Sequence, residues 1–265
     1  MIHLAEIRRK KKYNPPDKFP FNLPIIHNMP DLDFSSPITY FVGENGSGKS
    51  TLLESLAVAV GSITIGTDNI QKDKTMAPAR ELSDYFRLSW SHRTRKGFFL
   101  RAEDFFQFAK RMKNIVQEMD DDINSYEERF SGYGLMLAKG MAQGQRNEIT
   151  SRYGEDFDQN SHGESFIKLF HQRIVPGGLY LLDEPEAPLS PLRQIGFLSI
   201  LKDMVEEKDC QFIIATHSPI LMAYPDSTIY NFDENPLSKV DYDDLEHVNI
   251  TRNFLNNPES YLRFL

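Results

Sequence analysis

The chain has 265 residues, of which 40% are hydrophobic and 26% are charged, and its formal net charge is −8. This composition is typical of a globular protein, and the negative charge argues against one coated in positive potential. The single cysteine, Cys210, excludes an internal disulfide and a multi-cysteine metal site. Because apolar runs are short and the first residues lack the order of a secretory signal, we expect a cytoplasmic protein without membrane insertion.

The first predicted elements lead to a glycine-rich loop. A strand is predicted around Leu4 to Arg8, and the prolines that follow it favour an extended loop over a helix. Residues 38–42, Ile-Thr-Tyr-Phe-Val, have the pattern of a short buried strand. A helix is predicted to begin close to Leu52, so the glycine-rich loop connects a strand to a helix.

This loop fits the phosphate-binding pattern GxxxxGK[ST]. Its glycines allow the backbone to turn tightly and to point successive N–H groups at a phosphate, and the positive end of the following helix faces the same point. The lysine of the pattern reaches β- and γ-phosphate oxygens, and the serine after it coordinates Mg²⁺. The predicted nucleoside triphosphate site therefore comprises Gly43, Glu44, Asn45, Gly46, Ser47, Gly48, Lys49, Ser50 and Thr51.

The middle of the chain is predicted to be helical. Residues 61–97 are polar and irregular, and a strand is expected at 97–100. Apolar residues then recur every three or four positions, which predicts a helix that the aspartates at 120–122 interrupt. We expect a single domain over 1–265 in which parts 1–100 and 177–265 form a nucleotide-binding lobe and part 101–176 forms an inserted helical lobe.

Two acidic residues end the next predicted strand. The apolar run at 179–182, Leu-Tyr-Leu-Leu, is followed by Asp183 and Glu184. Ligands of open parallel sheets bind at the carboxyl ends of strands, so both acids fall where a nucleotide would lie. Asp183 is predicted to hold Mg²⁺ through water, and Glu184 to polarise the attacking water as a general base.

A further buried strand is predicted at 211–215, and His217 follows it closely. We predict that His217 donates a hydrogen bond to the γ-phosphate and senses its loss. Strands here alternate with helices and are continuously apolar, as in sheets covered on both faces. The sequence therefore predicts an α/β fold with a mainly parallel sheet flanked by helices.

Together these motifs resemble those of the ATP-binding-cassette ATPases. The closest resemblance is to their soluble branch, which includes structural-maintenance-of-chromosomes proteins, recombination-repair proteins and bacterial proteins known as predicted ATPases. Residues 179–185 resemble the acidic strand motif of the family, and residues 216–218 resemble its switch histidine. The resemblance implies a P-loop fold of the ATP-binding-cassette type.

A third motif resembles the family signature LSGGQ. Residues 160–165 read Asn-Ser-His-Gly-Glu-Ser, with His162 in place of a glycine and Glu164 in place of the glutamine. The motif precedes a predicted helix and lies shortly before the acidic strand. The resemblance implies that Ser161 and the Gly163 backbone contact the γ-phosphate of ATP bound to a second subunit.

Weaker family elements leave alternatives open. The family carries a glutamine near Mg²⁺, and this chain offers Glu103 there, with Gln107 one turn later. Residues 187–190 take the place of the dimer-facing loop. Tyr13 and Phe21 are candidates for the aromatic side chain that stacks on adenine.

The resemblance implies an ATPase that binds ATP and Mg²⁺, forms a homodimer around the nucleotide and drives an effector protein. We expect a use in DNA maintenance or phage defence, and basic clusters at 8–12 and 93–96 make DNA a candidate partner. Two alternatives stay open, namely the nucleotide-binding subunit of a membrane transporter and a regulatory switch that only binds ATP. The altered signature argues against the transporter subunit, and the presence of Glu184 argues against the switch.

Overall fold

The structure is a computed structural model that describes residues 1–10, 16–65, 74–153 and 162–263. None of the helices in these ranges is both long enough and apolar enough to cross a membrane. The strands are β1 (Leu4–Arg9), β2 (Leu32–Asp33), β3 (Ile38–Val42), β4 (Ile63–Thr64), β5 (Phe86–Trp90), β6 (Phe98–Arg101), β7 (Leu179–Asp183), β8 (Gln211–Ala215), β9 (Thr228–Asn231) and β10 (Ser238–Lys239). The α-helices are α1 (Pro24–His27), α2 (Lys49–Val60), α3 (Ala77–Ser83), α4 (Ala102–Arg129), α5 (Gly132–Tyr153), α6 (His162–Arg173), α7 (Pro191–Lys208), α8 (Pro219–Met222), α9 (Glu246–Asn256) and α10 (Pro258–Leu262).

A large sheet organises the molecule. Its strand order is β10-β9-β3-β8-β7-β6-β4, and its neighbours run parallel except for β10 and β9. A smaller antiparallel sheet has the order β2-β1-β5. The predicted α/β fold with a mainly parallel sheet is therefore confirmed.

The strand register sets the place of the functional residues. Arg101 pairs with Asp183, Asp183 with Ala215, and Ala215 with Phe41, so four neighbouring strands end in one row. The residues that follow each strand meet at this edge of the sheet. The glycine-rich loop, Glu184 and His217 are all in that position.

The large sheet is buried on both faces. Every residue of β3, β7 and β8 is buried, which explains why these strands are continuously apolar rather than alternating. On one face α2 and the small sheet contribute to a core that includes Leu52, Leu56 and Ile7. On the other face a second core includes residues of α4, α6 and α7.

Aromatic packing anchors α6 in the second core. Phe166 and Phe170 of α6 are fully buried. The Phe170 and Phe197 rings lie 4.7 Å apart, and the Phe105 and Phe166 rings lie 5.1 Å apart, in edge-to-face arrangements that favour aromatic pairs. This packing ties α6 to both α4 and α7, and it fixes the position of the start of α6.

Two expectations about the middle of the chain are wrong. Helix α4 continues through residues 120–122 and ends only at Arg129. It tolerates these aspartates because they lie away from the core, and Asp120 pairs with Arg146 of α5 at 2.5 Å. The stretch 61–97 is also less irregular than predicted, since it contains α3 and β5, which bury only a few apolar residues each.

Candidate active site

Three glycines with positive φ shape the loop between β3 and α2. The φ values are +144° for Gly43, +82° for Gly46 and +101° for Gly48. A Cβ atom on Gly43 would lie 2.9 Å from Asp233 Oδ1, and one on Gly48 would lie 2.8 Å from Ile25 Cγ2. No atom lies within 4 Å of the corresponding position on Gly46. Packing thus holds the two outer glycines, whereas the centre of the loop faces open space.

Polar groups point into this loop. Lys49 is 5% exposed, and its Nζ donates to the carbonyl oxygens of Gly43 at 2.7 Å and Glu44 at 2.8 Å. Burial lowers the pKa of Lys49. The Ser47 hydroxyl is buried and has no hydrogen-bond partner among the described residues. A buried hydroxyl is usually partnered, so an unpartnered one beside a lysine fits a phosphate oxygen.

The other residues of the motif lie on the loop surface or in the first turn of α2. Glu44, Asn45 and Gly46 are exposed, so they border the open side of the loop. Thr51 is partly buried, and its carbonyl oxygen accepts from Ser55. The loop therefore has one buried side, formed around Lys49, and one exposed side.

The phosphate loop and the acidic strand are joined directly. Ser50 Oγ donates to Asp183 Oδ1 at 3.1 Å. Burial raises the pKa of Asp183 to about 7, although the Ser50 hydrogen bond opposes this. A buried carboxylate beside a serine hydroxyl is a pair of oxygen ligands that suits Mg²⁺, whose positive charge would stabilise the ionised carboxylate.

Glu184 has an unusual backbone. Its φ is +50°, in the left-handed region that non-glycine residues enter at a cost of about 1–2 kcal/mol. Its N–H donates to the Ala215 carbonyl at 2.9 Å, and its carbonyl accepts from Ala187 at 3.1 Å. This turn leaves the Glu184 side chain 46% exposed, beside the buried Asp183.

His217 faces Glu184 across the strand ends. Its Nε2 lies 3.8 Å from Glu184 Oε1 and has no hydrogen-bond partner among the described residues. Burial and the Lys49 charge lower the pKa of His217, so the neutral imidazole is favoured. The His217 backbone N–H donates to Glu186 Oε1 at 2.7 Å, and this bond holds His217 in place after the end of β8.

The family model of the AAA domain matches residues 22–184, which is more than half of the chain and includes the phosphate loop, Asp183 and Glu184. This chain belongs to the AAA domain family. No curated protein matches its sequence. His217 lies beyond the matched residues.

Solved structures similar to this chain include a part of an ABC transporter complex and two SMC head domains. One is cbiO1 of Clostridium perfringens, part of the ABC transporter complex cbiONQ, with 15% identity, coverage of 99% of this chain and 100% of that chain, and a TM-score of 0.41. Another is the Smc head domain of Pyrococcus furiosus bound to the C-terminal domain of ScpA, with 12% identity, coverage of 96% and 100%, and a TM-score of 0.39. A third is the SMC head domain of Thermotoga maritima, with 16% identity, coverage of 91% and 100%, and a TM-score of 0.38.

Only part of the segment 160–165, which resembles the LSGGQ signature, lies within the described residues. Ser161 falls outside them, and Gly163 lies at the start of α6. A Cβ atom on Gly163 would lie 2.8 Å from the Pro188 carbonyl oxygen and 2.7 Å from Arg193 Nη1. Gly163 thus allows the start of α6 to pack closely against the loop before α7, but no described contact joins it to Lys49 or Asp183.

Glu103 lies in the first turn of α4. Its carboxylate is 3.2 Å from Arg101 Nη1, and its side chain is 65% exposed. Gln107 is also exposed. A role for either residue near Mg²⁺ therefore stays a prediction.

Of the two candidates for adenine stacking, Phe21 and Tyr13, the structure describes only Phe21. Phe21 is 1% exposed and packs edge-on against Tyr85, with ring centroids 5.0 Å apart. It belongs to the core that includes α2 and the small sheet, and it offers no face to a base. Tyr13 lies outside the described residues.

Sequence reasoning missed residues that follow β9. Asp233 Oδ1 accepts from the Glu44 N–H at 2.7 Å and so supports the phosphate loop from the side. His247, on α9, interacts electrostatically with Lys49 and His217. An acidic residue just after a buried strand was a usable signal for Asp233, whereas nothing in the local sequence distinguishes His247 from a surface histidine.

Proposed function

We propose that this AAA domain binds ATP with Mg²⁺ and hydrolyses it. The observation that carries the proposal is the hydrogen bond from Ser50 Oγ to Asp183 Oδ1. It places the end of the phosphate loop against the acidic strand, with Glu184 as the next residue. Phosphate binding, metal binding and a general base are thereby combined at one edge of the sheet.

Each residue has a role that its surroundings support. Ser50 and Asp183 would hold Mg²⁺, which supplies positive charge to the β- and γ-phosphates. Lys49 binds the same oxygens, and the backbone N–H groups around Gly46 face the phosphates. Because the loop is already folded by its packing, these donors need little rearrangement to stabilise charge.

Glu184 polarises the attacking water in this proposal. Its side chain is partly exposed and can meet a water, whereas Asp183 is buried against Ser50. His217, held neutral by burial, donates from Nε2 to the γ-phosphate. Two neighbouring carboxylates in different surroundings thus take different parts, one binding metal and one accepting a proton.

A second copy of the chain completes the site. In the proposed homodimer, Ser161 and the Gly163 backbone of one subunit contact the γ-phosphate of ATP bound to the other. The exposed side of the phosphate loop, at Asn45 and Gly46, leaves room for such a contact. Charge on the bound nucleotide holds the two copies together, and hydrolysis weakens the dimer and thereby drives an effector protein.

The test uses Glu184→Gln, with Glu207→Gln on the exposed face of α7 as the matched control. We expect Glu184→Gln to slow ATP turnover by about 10²–10⁴-fold, the contribution of a positioned general base, and to leave ATP binding intact. Size-exclusion chromatography should show this variant as a dimer only when Mg-ATP is present. Unchanged turnover would refute the assignment of the base, and a monomer at saturating ATP would refute the shared site.

DNA is the first partner to test. We propose that the protein acts in the cytoplasm. Of the two basic clusters, the first is partly engaged, since Arg8 pairs with Glu6 at 2.7 Å, whereas Arg93 and Arg95 of the second are exposed. If DNA is the partner, it should stimulate ATP turnover, and the stimulation should fall steeply as salt rises. Turnover that ignores DNA at low salt would direct the search to an effector protein.

A further inference from the structure

A buried arginine lies next to Asp183 at the end of the large sheet. Arg101, the last residue of β6, is the register partner of Asp183 in β7, so the two side chains point to the same face of the sheet. Arg101 Nε donates to Asp104 Oδ2 at 2.8 Å and Arg101 Nη2 to Asp104 Oδ1 at 3.0 Å. The Asp104 side chain is fully buried, so this bidentate pair fixes the orientation of the guanidinium.

The third nitrogen of the guanidinium contacts helix α2. Arg101 Nη1 donates to Glu54 Oε1 at 3.3 Å, and the Glu54 side chain is 21% exposed. The same nitrogen lies 3.2 Å from Glu103 Oε1, but the Glu103 side chain is 65% exposed. Because water and salt screen a partly buried charge pair less than an exposed one, Glu54 is the more firmly held of these two carboxylates.

Glu54 and Ser50 lie four residues apart, on the same face of α2. Ser50 Oγ donates to Asp183 Oδ1 at 3.1 Å, and Glu54 accepts from Arg101 on the neighbouring strand. This face of α2 is therefore bonded to two adjacent strands at positions that are paired in register. Two bonds one turn apart set both the height and the rotation of α2 over the strand ends, whereas a single bond would leave the helix free to turn about it.

We propose that Glu54 is a positioning residue, which through Arg101 holds Ser50 against the end of β7 as a ligand of Mg²⁺. The proposal rests on the proposed function, because it concerns the metal of the same nucleotide site. Mg²⁺ demands near-ideal octahedral geometry, so a small displacement of α2 should cost metal affinity. Lys49 tolerates such a displacement better, because its flexible side chain binds phosphate oxygens as a point charge.

The experiment measures ATP affinity by calorimetry, with excess Mg²⁺ and with EDTA, for the full chain and three variants. The ratio of the two affinities reports the contribution of Mg²⁺ to binding. Glu54→Ala should lower this ratio by about ten-fold or more, the usual effect of removing a group that supports a metal ligand, and should leave the affinity in EDTA within about two-fold of the parent. Glu54→Gln, whose amide oxygen can still accept from Arg101, should keep most of the Mg²⁺ contribution. Glu81→Ala is the control, because it removes an exposed carboxylate that pairs with Lys18 at 2.6 Å, and it should behave like the parent.

The outcomes separate this inference from the proposed function. A parent chain that does not bind ATP, or binds it equally well with and without Mg²⁺, would refute the proposed function. A parent with a clear Mg²⁺ contribution, together with a Glu54→Ala variant that keeps the parental ratio, would refute the role of Glu54 alone. Equal losses of affinity in Mg²⁺ and in EDTA would refute it as well, since they are the result of a merely structural role.

A shorter acid decides if Glu54→Ala does not fold. Glu54→Asp keeps the negative charge but lacks one methylene, so its carboxylate should not reach Arg101 Nη1 with α2 in place. The ratio of ATP affinities should then fall, as in Glu54→Ala. A parental ratio for Glu54→Asp would overturn the proposal.

Discussion

The edge of the large sheet at which β3, β7 and β8 end, here called the nucleotide edge, is built in the opposite way to the outer part of the α4–α5 pair. At the edge, every residue of β3, β7 and β8 is buried, and the buried side chains of Lys49 and Asp183 have named partners. On α5, by contrast, Tyr133 is 73% exposed and Met141 is 67% exposed. The difference indicates that the site depends on close packing. The surrounding side chains have no room to move in response to an added atom or a removed charge.

Gly97→Ala, at the amino ends of the buried strands β6 and β7, should have the largest effect. Gly97 has φ +118°, and a Cβ atom would lie 1.8 Å from the Leu179 carbonyl oxygen. Overpacking and left-handed strain together should lower the free energy of unfolding by about 4 kcal/mol or more, measured by urea denaturation. Gly61→Ala is the control, because Gly61 has φ +73° but no neighbour within 4 Å. Equal losses for both variants would mean that packing at β7 is not the cause.

Removal of an arginine should cost more unfolding free energy at the nucleotide edge than between α4 and α5. Arg101 Nε lies 2.8 Å from Asp104 Oδ2, and the two side chains are 10% and 0% exposed. Arg101→Met removes this charged partner from a buried carboxylate and should cost about 3–5 kcal/mol of unfolding free energy. Arg146→Met removes the α4–α5 pair with Asp120, which is 28% and 44% exposed, and should cost about 0.2–1 kcal/mol. Thermal unfolding of both variants checks the contrast, and similar losses would contradict it.

The smallest expected effect has the opposite sign. Gly140 lies inside α5 and is exposed, and no atom beyond its own helix turn lies within 4 Å of the position that a Cβ atom would take. Gly140→Ala should therefore raise the free energy of unfolding by about 0.5–1 kcal/mol, because alanine loses less backbone entropy in a helix. ATP turnover should be unaffected. A destabilised Gly140→Ala variant would show that this part of α5 is packed more closely than its exposure indicates.

The elements of the nucleotide edge were predictable because each has a strong local pattern. Buried parallel strands are continuously apolar, and residues 38–42, 179–182 and 211–215 are therefore recognisable without knowledge of their neighbours. The phosphate loop is similarly defined by its glycines and by the spacing of Lys49. Since all these strands are parallel, their carboxyl ends meet, and the grouping of Asp183, Glu184 and His217 follows from the chain order alone.

Other features depend on contacts between distant residues. The aspartates at 120–122 were expected to end α4, but they lie on its outer face and one of them pairs with Arg146. The bond between Asp233 and Glu44 joins residues 189 positions apart, which no local pattern encodes. The start of α9 is held in place because Leu245 and Val248, far from β3 and β7 in sequence, pack into the core on the second face of the sheet.

The left-handed backbone at Glu184 has a consequence for which residues other members of the family carry at this position. Glycine or asparagine would adopt a φ of +50° with less strain than glutamate, so the chain would fold more stably with either residue at this position. A family member that only binds a nucleotide gains stability from such a replacement, whereas under the proposed function a member that hydrolyses the nucleotide needs Glu184 as its general base. The residue found at this position in other members of the family should therefore sort turnover enzymes from inert binders.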